Sequence, residues 1–257
     1  MIKKHNLIVL FLSLAVSSFA NESGKRTEIG LSVNTMNMDY REYSGGTILD
    51  SEKSDSLPGF GLQYKRQLNN GGFFDVDYSQ YYGNTDYVGF YLGSGGHYGD
   101  VTAITKNTIS DGSIGYSEEK SFNNYLVSMR LGVGYRFWER SLADGHTEQY
   151  ELPYGTVKLG VLADLTNKDT LGVAAEYHRA FSPQMKSNIY GTFDLGTTDG
   201  FSIIVPWEHT FTPSWALKFT YMYQTWNINK SDTNAGYYEP DSESKFHTLN
   251  AALVYRY

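Results

Sequence analysis

The sequence is dominated by short segments in which every second residue is apolar or aromatic. The clearest segment lies between residues 125 and 137, where the apolar positions are Tyr125, Val127, Met129, Leu131, Val133, Tyr135 and Phe137. A period of two is the period of a β-strand, because successive side chains point to opposite faces of a sheet. After residue 20, no apolar run approaches the roughly 18 residues that a membrane-spanning helix requires. The pattern therefore predicts an all-β protein whose strands each have one apolar face.

The start of the chain has a different character. Lys3 and Lys4 precede an apolar run from Leu7 to Val16, and the segment Ser18-Phe19-Ala20 provides small residues after it. A basic start, a short apolar segment and small residues at the cleavage positions are typical of a Sec-type secretory signal. We therefore expect residues 1–20 to be cleaved on export.

The remainder, residues 21–257, is acidic and free of cysteine. It carries 19 basic and 28 acidic residues, since Lys3 and Lys4 account for two of the 21 basic residues, and its net charge is −9. Such a chain is a poor binder of nucleic acid, so no nucleic-acid partner is expected. The lack of cysteine excludes an N-terminal lipid anchor and a disulfide framework. With 22 tyrosines and 26 glycines, the composition fits a transmembrane barrel or a secreted β-sandwich.

The alternating segments add up to ten strands, which we assign to a single antiparallel up-and-down barrel spanning residues 21–257. Tight turns are predicted at Asn69–Gly72, Ser182–Gln184 and Thr212–Ser214, and long polar loops at Ser44–Asp55, Gly83–Ser121 and Asn227–Ser244. Short turns at one end and long loops at the other are typical of membrane barrels. Two connections depart from this rule, because Glu139–Pro153 is long for a turn and Thr166–Thr170 is short for an outer loop.

Eight or twelve strands are the alternative counts. A twelve-stranded version would take Asp86–Leu92 and Tyr98–Ile109 out of the long loop. The second segment would direct Thr105 and Asn107 towards lipid, and residues of this polarity do not suit that face. Ten strands is the preferred count, with Ile189–Leu195 included as a weaker barrel strand.

The last strand indicates the kind of barrel. Leu249, Leu253, Tyr255 and Tyr257 share one face, and the sequence closes on the aromatic Tyr257. This strand resembles the terminal strand of small bacterial outer-membrane β-barrel proteins, which alternates apolar residues and closes on Phe or Tyr. The resemblance implies that the strand seals the barrel and is read by the barrel-assembly machinery.

The same resemblance implies a location and a set of partners. It predicts an integral, porin-like protein in the outer membrane of a Gram-negative bacterium, in contact with outer-membrane lipids and lipopolysaccharide. An even number of strands places both termini on one side of the membrane, which is expected to be the periplasm.

The face opposite the apolar one carries many small residues, namely Gly61, Gly132, Gly134, Gly160, Gly172 and Ala174. Small residues suit a narrow lumen, where side chains from opposite walls compete for space. In a water-soluble sandwich this face would be densely charged, so the pattern favours the membrane barrel.

Nine charged residues on this face are predicted to form a belt inside the barrel, namely Lys65, Asp75, Asp77, Arg130, Arg136, Lys158, Glu176, Glu208 and Lys218. The turn positions place Lys65 opposite Asp75 and Glu208 opposite Lys218, and each pair is of opposite sign. The near balance of sign favours an internal salt-bridge network that plugs the barrel. The alternative, a selectivity filter in an open pore, would more typically show one dominant sign.

No catalytic site, metal or cofactor is expected. Omptin proteases, which are ten-stranded barrels, use an Asp-x-Asp and an Asp-x-His pair at the outer rim. Asp75-Val76-Asp77 has the first spacing but follows a turn at the other end, and no Asp-x-His pair is expected anywhere in the chain, so omptin activity is not expected. For a lipid hydrolase, His178 and Ser182 are the nearest candidates, although Ser182 lies in a predicted turn. The loop acids lack the spacing of a known metal site.

The long loop, Gly83–Ser121, carries Tyr87, Tyr91, Tyr98 and Tyr116 among glycine and serine. Tyrosine in such a setting suits a recognition surface. We therefore expect a non-enzymatic barrel with a structural or surface-recognition role towards an unidentified extracellular partner. A narrow porin-like channel for ions or small solutes is the alternative, and a membrane-embedded hydrolase of the omptin or lipid-deacylase kind is the third hypothesis.

Overall fold

The computed structural model describes residues 26–90, 96–142, 145–234 and 236–257, and the regular elements in these ranges are β-strands. They are β1 (Thr27–Ser44), β2 (Thr47–Gln67), β3 (Phe73–Gly89), β4 (Val101–Phe122), β5 (Tyr125–Ser141), β6 (Thr147–Asp164), β7 (Asp169–Ala180), β8 (Gln184–Ser187), β9 (Gly191–Asp194), β10 (Thr198–Thr212), β11 (Trp215–Ile228) and β12 (Asp241–Arg256). None of the described segments is a helix long and apolar enough to cross a membrane. The expected secretory signal, residues 1–20, lies outside the described ranges.

Ten of the strands close into an antiparallel barrel. Neighbours follow the chain from β1 to β7 and from β10 to β12, β7 pairs with β10, and β12 returns to pair with β1. The other two strands, β8 and β9, form a small hairpin attached to the first residues of β6. The predicted ten-stranded barrel is confirmed.

The two ends of the barrel differ in their connections. One end, called the turn end below, holds the short connections 68–72, 123–124, 165–168 and 213–214. The two chain ends meet there, where Thr27 and Tyr257 exchange backbone hydrogen bonds of 3.0 and 3.1 Å. The opposite end, called the loop end, holds the connections 45–46, 90–100, 142–146, 181–197 and 229–240.

The register around the ring fixes the width of the barrel. Stepping from partner to partner through all ten strands, starting at Ile29, leads back to β1 at Arg41, which is 12 residues further along. With strands about 4.8 Å apart and a rise of about 3.3 Å per residue, this displacement corresponds to a strand tilt of about 40°. A barrel of this size has room inside for side chains but little else.

The outward face of the barrel is apolar near the turn end and polar near the loop end. On β5, the outward Leu131 and Val133 are both 50% exposed, whereas the inward Arg130 is 4% exposed. Outward apolar residues continue around the ring at Leu31, Val33, Phe60, Ile114, Val157, Leu159, Val173, Phe201, Phe219, Leu249 and Leu253. Towards the loop end, β5 ends with the outward Glu139 and Ser141. The apolar belt suits lipid, and the polar part beyond it suits water.

The strand β4 corrects the predicted long loop. The sequence places a loop over Gly83–Ser121, but β3 continues to Gly89 and β4 covers Val101–Phe122. The prediction is wrong because Thr105 and Asn107 point into the barrel rather than towards lipid, and they are 0% and 2% exposed. This half of β4 lies beyond the apolar belt, so its outward residues meet water and need not be apolar.

The weak barrel strand predicted at Ile189–Leu195 is also wrong. Only Gly191–Asp194 is a strand, β9, and it pairs with β8 outside the ring. The structure has β4 in the ring in place of this strand, so the total stays at ten. The connections between these two positions in the chain therefore lie at the opposite end of the barrel from the predicted one. The connection after β5 therefore belongs to the loop end, and the one after β6 belongs to the turn end, which explains their lengths.

Two other predicted loops, Ser44–Asp55 and Asn227–Ser244, are shorter in the structure than the sequence predicts. β1 and β2 continue to a two-residue turn at Gly45 and Gly46, whose φ angles of 57° and 83° favour glycine. Likewise, β12 already begins at Asp241. The alternation of apolar and polar residues stops where a strand leaves the belt, because both faces of its outer half are then compatible with polar residues.

Glycine on the inward face makes room for large side chains, as the sequence predicts. A Cβ at Gly134 would overlap the ring of Tyr154, and one at Gly132 would lie 2.9 Å from the guanidinium of Arg130. Such overlaps can be relieved only by moving a buried side chain or the neighbouring strand.

We expect Gly134→Val to destabilise the barrel by about 1–3 kcal/mol, because it overpacks the interior against Tyr154. Gly155→Val is the matched control, since a Cβ at Gly155 meets nothing within 4 Å. Urea unfolding of the refolded protein in detergent micelles measures both. Equal effects of the two substitutions would contradict the inward packing described above.

Candidate functional site

The barrel interior is divided into three zones that follow one another along β1. From the turn end, Glu28 and Ser32 line a cavity of about 560 Å³, called the lower cavity. Met38 and Tyr40 are 2% and 0% exposed and belong to a packed layer across the lumen. Glu42 then lines a second cavity of about 280 Å³ at the loop end, called the upper cavity.

All nine residues of the predicted charge belt line the lower cavity. Other charged residues line it as well, namely Arg26, Glu28, Asp111, Glu119, Asp164 and Arg256. Within the described part of the chain, the lining therefore has seven basic and eight acidic side chains. The charges of the two signs nearly cancel.

Arg130 is the centre of the ion pairs in the lower cavity. Its Nε donates a hydrogen bond of 2.6 Å to Asp75, and its guanidinium lies 3.8 Å from Asp77 and 3.7 Å from Glu176. Because the Arg130 side chain is 4% exposed, these carboxylates replace water as its partners. A buried charge of this kind is tolerated only when it is paired and hydrogen-bonded.

The predicted cross-strand neighbours are found, but Lys65 and Glu208 form their ion pairs with other residues. Lys65 is the register partner of Asp75, and Glu208 is that of Lys218. Lys65 forms its ion pair with Glu119 on β4. Sequence reasoning missed this pairing because it assigned β4 to a loop.

Arg256 is a second charged residue that sequence reasoning left out. Its guanidinium lies 2.5 Å from Glu208 and 3.1 Å from Glu28. The alternation of the last strand contains the signal, since Arg256 lies between the outward Tyr255 and Tyr257 and therefore points inward.

A layer of large side chains separates the two cavities. Its inward residues are Met36, Met38, Tyr40, Leu57, Tyr81, Ile109, Trp138, Tyr150, Leu152, Tyr154, Trp226 and Phe246, all less than 5% exposed. The ring of Trp138 stacks on Tyr150 and meets Tyr40 edge-on, with both pairs of ring centroids 5.0 Å apart. Arg136 closes the lower side of the layer, where its guanidinium lies 5.0 Å from the ring of Trp226.

Arg140 forms a second buried charge cluster on the loop-end side of this layer. It is fully buried, and its guanidinium lies over the ring of Tyr40 at 4.3 Å. Its carboxylate partners are Glu148 at 2.6 Å, Glu52 at 2.8 Å, Glu42 at 3.0 Å and Asp50 at 3.8 Å. One guanidinium therefore serves four carboxyl groups.

A fifth carboxyl group, that of Glu239, joins the cluster from the 229–240 connection. It accepts a hydrogen bond of 2.5 Å from the hydroxyl of Tyr150 and is 4% exposed. Acidic groups thus outnumber Arg140 five to one in this part of the interior.

The sequence contains a signal for the Arg140 cluster that the predicted strand ends concealed. Trp138 and Arg140 continue the inward phase of Arg130 and Arg136 along β5. Sequence reasoning ended this strand at Phe137, because the outward phase becomes polar there. The inward-facing residues alone would have extended the predicted strand by two further inward positions, Trp138 and Arg140.

The upper cavity has acidic and aromatic walls. Its acidic lining residues are Glu42, Asp50, Glu148 and Glu239, and its aromatic ones are Tyr87, Phe90, Tyr190, Phe193, Tyr237 and Tyr238. No lysine or arginine is among the described residues that line it. Tyr190 and Tyr237 pack against each other with ring centroids 4.5 Å apart.

Burial raises the pKa values of the carboxyl groups in this cluster. It raises the pKa of Glu148 from its ordinary value of 4.5 to about 7, with Arg140 acting in the opposite direction and Glu42 adding to the rise. Burial and the charge of Glu42 also hold the pKa of Asp50 and of Glu239 well above the usual range. The single guanidinium is too little positive charge to keep all these groups ionised.

The predicted tyrosine recognition loop is only partly a loop. Tyr87 lies on β3, 8% exposed, and lines the upper cavity. Tyr116 lies on β4 near the turn end, where Asn70 donates to its hydroxyl over 3.0 Å. Tyr98 is in the 90–100 connection and 45% exposed, and Tyr91 lies outside the described residues. The prediction that Tyr87 and Tyr116 lie in a loop is wrong, because β3 continues past Tyr87 and Tyr116 lies on β4.

The terminal strand lies where its alternation predicts. Leu249, Leu253, Tyr255 and Tyr257 point outward and are 39–58% exposed. Their strand, β12, completes the ring against β1. The recognition of this strand by assembly machinery stays a prediction.

The omptin-type spacings do not form one site. Asp75 and Asp77 lie in the lower cavity, where Asp75 is bonded to Arg130. The Asp-x-His spacing is present in the sequence, at Asp144-Gly145-His146, and sequence reasoning overlooked it. Asp144 lies outside the described residues. His146 lines the upper cavity, whereas Asp75 and Asp77 line the lower cavity.

The described histidine–serine pairs do not form a triad. His178 contacts Ser202 at 3.1 Å rather than Ser182, which lies in an exposed turn at the loop end. His146 Nε2 lies 2.9 Å from Ser187 Oγ and 3.6 Å from Glu148. In a catalytic triad the serine and the acid contact opposite ring nitrogens, whereas both approach the same nitrogen of His146.

We expect Arg140→Met to destabilise the protein by about 3–5 kcal/mol, because it leaves buried carboxylates without their counter-charge. Arg41→Met is the matched control. Arg41 points outward on β1, 37% exposed, with an ion pair of 3.0 Å to Asp39, and its loss is expected to cost less than about 1 kcal/mol. Urea unfolding in micelles gives both values, and similar losses would refute the importance of the Arg140 cluster.

The raised pKa of Glu148 predicts a pH-dependent stability. A folded-state pKa above the unfolded one means that folding is favoured at low pH, fully below about 4.5, and that this contribution is lost as pH rises through about 7. The titratable or charged groups around Glu148 are Glu42, Asp50, Glu52, Arg140, His146, Tyr150 and Glu239. We therefore expect a higher unfolding temperature at pH 5 than at pH 8.

Near-ultraviolet circular dichroism during heating measures this difference. Glu148→Gln is expected to reduce it, because the amide cannot ionise. An unchanged difference between pH 5 and pH 8 in Glu148→Gln would assign the effect to other groups.

Solved structures of several membrane barrels are similar to this one. The outer membrane protease OmpT from Escherichia coli matches with a TM-score of 0.64 and 11% identity, covering 93% of this chain and 100% of that one. The translocator domain of the autotransporter NalP from Neisseria meningitidis matches with 0.48 and 12%, covering 98% and 96%. An outer membrane channel from Pseudomonas putida F1 matches with 0.47 and 9%, covering 93% and 97%. At such identities the likeness concerns the fold alone.

The family is established by a match in sequence. No curated protein matches the chain, but the family model for the outer membrane protein beta-barrel domain matches residues 7–257. This match spans the closed ring, its apolar belt and the terminal strand. The chain therefore belongs to the outer membrane protein β-barrel family and is a protein of the bacterial outer membrane.

Proposed function

We propose that this protein is a closed, non-enzymatic barrel that recognises a ligand at the extracellular end of its lumen. In this arrangement the turn end and both chain termini face the periplasm, as short turns do in bacterial barrels. The loop end, with the upper cavity and the Arg140 cluster, faces the outside of the cell.

The observation that carries this proposal is the packed layer between the two cavities. Trp138, Tyr150 and Trp226 are 2%, 0% and 1% exposed, so an ion would have to displace several of them to pass. Opening such a layer exposes large apolar surfaces, at about 25 cal/mol per Å². The layer therefore favours a lumen that is closed at rest.

A narrow channel is the second candidate, and the lower cavity favours it. The cavity of about 560 Å³ has a charged lining, as an ion pathway would. Its seven basic and eight acidic residues show no dominant sign, however, and many of them are paired. This arrangement is more typical of an internal network than of a selectivity filter.

The non-enzymatic part of the proposal rests on the geometry of the groups that could do chemistry. Of the two aspartates with the Asp-x-Asp spacing, Asp75 is hydrogen-bonded to Arg130 and Asp77 lies 3.8 Å from its guanidinium. The described serine and glutamate beside His146, Ser187 and Glu148, both approach Nε2. The likeness to OmpT is one of fold, at 11% identity, and fold alone does not carry a catalytic activity.

Conductance in planar bilayers tests the proposal. The refolded protein is expected to show no steady openings, because the layer blocks the lumen. The double variant Tyr150→Ala, Trp226→Ala removes two large side chains from that layer and is expected to conduct. Openings of this variant would also show that a lack of openings in the unaltered protein does not result from failed insertion into the bilayer.

Steady openings of the unaltered protein would overturn the closed-barrel proposal. If Glu208→Gln or Arg130→Ala then shifted the ion selectivity of those openings, the lower cavity would be part of the conducting path. For the unaltered protein and for the variants, gel electrophoresis recognises the folded barrel by a band that migrates differently after heating.

A further inference from the structure

The upper cavity is lined by more acidic groups than the basic groups around it can balance. Four of its described lining residues are acidic, Glu42, Asp50, Glu148 and Glu239, and none is lysine or arginine. Arg140, just below, is the cation that the described cluster shares. A cavity with this imbalance favours a positively charged occupant.

Two buried polar atoms beside the cavity have no hydrogen-bond partner in the described part of the chain. Thr105 is fully buried, and its hydroxyl is one of them. The second is a carboxylate oxygen of Asp50, Oδ1. Both residues line the upper cavity. Buried polar groups are nearly always satisfied, and an acceptor such as a carboxylate oxygen requires an N–H or O–H donor.

The walls of the cavity favour an organic cation over a metal ion. In the described ranges, no group of three or more acidic, histidine or cysteine residues is arranged to hold a metal ion. Aromatic side chains, among them Tyr190, Phe193 and Tyr237, form much of the wall. Aromatic faces attract ammonium groups and accommodate the methylene groups beside them.

The rim of the cavity already shows this preference. Tyr238 lines the cavity, and the ammonium group of Lys230 lies over its ring at 3.7 Å. An ammonium group is thus compatible with a tyrosine face at this end of the barrel.

We propose that the upper cavity binds a small aliphatic amine that carries two or more ammonium groups. One ammonium group donates hydrogen bonds to Asp50 and Glu148 at the base of the cavity. A second lies near Glu239, and the methylene groups between them pack against the tyrosines. A volume of about 280 Å³ suits a ligand of this size. This inference rests on the proposed recognition role of the loop end.

Primary ammonium groups fit this site better than quaternary ones. A quaternary ammonium has no N–H and would leave the unpartnered oxygen of Asp50 without a donor. A primary ammonium offers three N–H donors and can serve two carboxylates at once.

Isothermal titration calorimetry with spermidine as the probe tests the proposal on the refolded full-length protein in an uncharged detergent. We expect saturable binding of one spermidine per barrel. Magnesium ions and 1,8-octanediol serve as controls, since the first is a divalent cation without carbon and the second lacks charge. Both are expected to bind at least tenfold more weakly.

Matched variants locate the binding. Glu239→Gln is expected to weaken spermidine binding at least tenfold, and so is Glu148→Gln. Glu239→Gln keeps an acceptor for Tyr150 and leaves the contacts of Arg140 intact, so it keeps the test valid if Glu148→Gln fails to fold. Glu139→Gln removes the same charge from the outward face of β5 and is expected to change nothing.

Three results would overturn the proposal: no saturable binding, equal weakening by Glu139→Gln and Glu239→Gln, or equally tight binding of magnesium. The bilayer experiment distinguishes this failure from that of the proposed function. If the barrel shows no openings and does not bind spermidine, the closed-barrel proposal stands and the amine proposal fails. If the barrel conducts, the proposed function is overturned whether or not spermidine binds.

Discussion

The pairing of β1 with both β2 and β12 is the contact on which the rest of the structure depends. It removes the exposed edges that an open sheet would present to lipid, where an unpaired backbone group costs several kcal/mol. The 12-residue displacement around the ten strands then sets the width of the ring. Because that width admits side chains and little more, the inward residues must fill the interior and satisfy one another.

The interior meets this requirement in two different ways. In the lower cavity, charges of opposite sign are nearly equal in number, and Arg130 is paired with carboxylates from two strands, β3 and β7. At the loop end, one guanidinium, that of Arg140, faces five carboxyl groups. The first arrangement suits internal stability, whereas the second leaves a surplus of acidic groups, which the proposed cationic ligand would offset. The unequal distribution of charge is the main reason to look for a ligand at the loop end.

A shared barrel fold does not imply a shared activity. The outer membrane protease OmpT is similar to this chain in fold, at 11% identity. The ring and its belt are common requirements of the membrane, so they say little about what a given barrel does. In this protein the interior features that bear on function are the packed layer around Trp138 and Tyr150, which separates the two cavities, and the acidic cavity on its loop-end side.

The sequence by itself determined the barrel, the faces of most strands and nine of the charged residues that line the lower cavity. Lipid imposes an alternation of apolar residues, and this alternation is visible at Tyr125–Phe137 and Leu249–Tyr257. Only the tertiary structure revealed β4, the sidedness of the connections and the Arg140 cluster. Where strands rise above the lipid, as around Arg140 and Glu148, water removes the constraint on the outward face and the alternation disappears. The partners of the charged residues were equally hidden. Lys65 reaches across β3 to Glu119 on the unrecognised β4, and Arg140 on β5 reaches Glu52 on β2, three strands away in the ring.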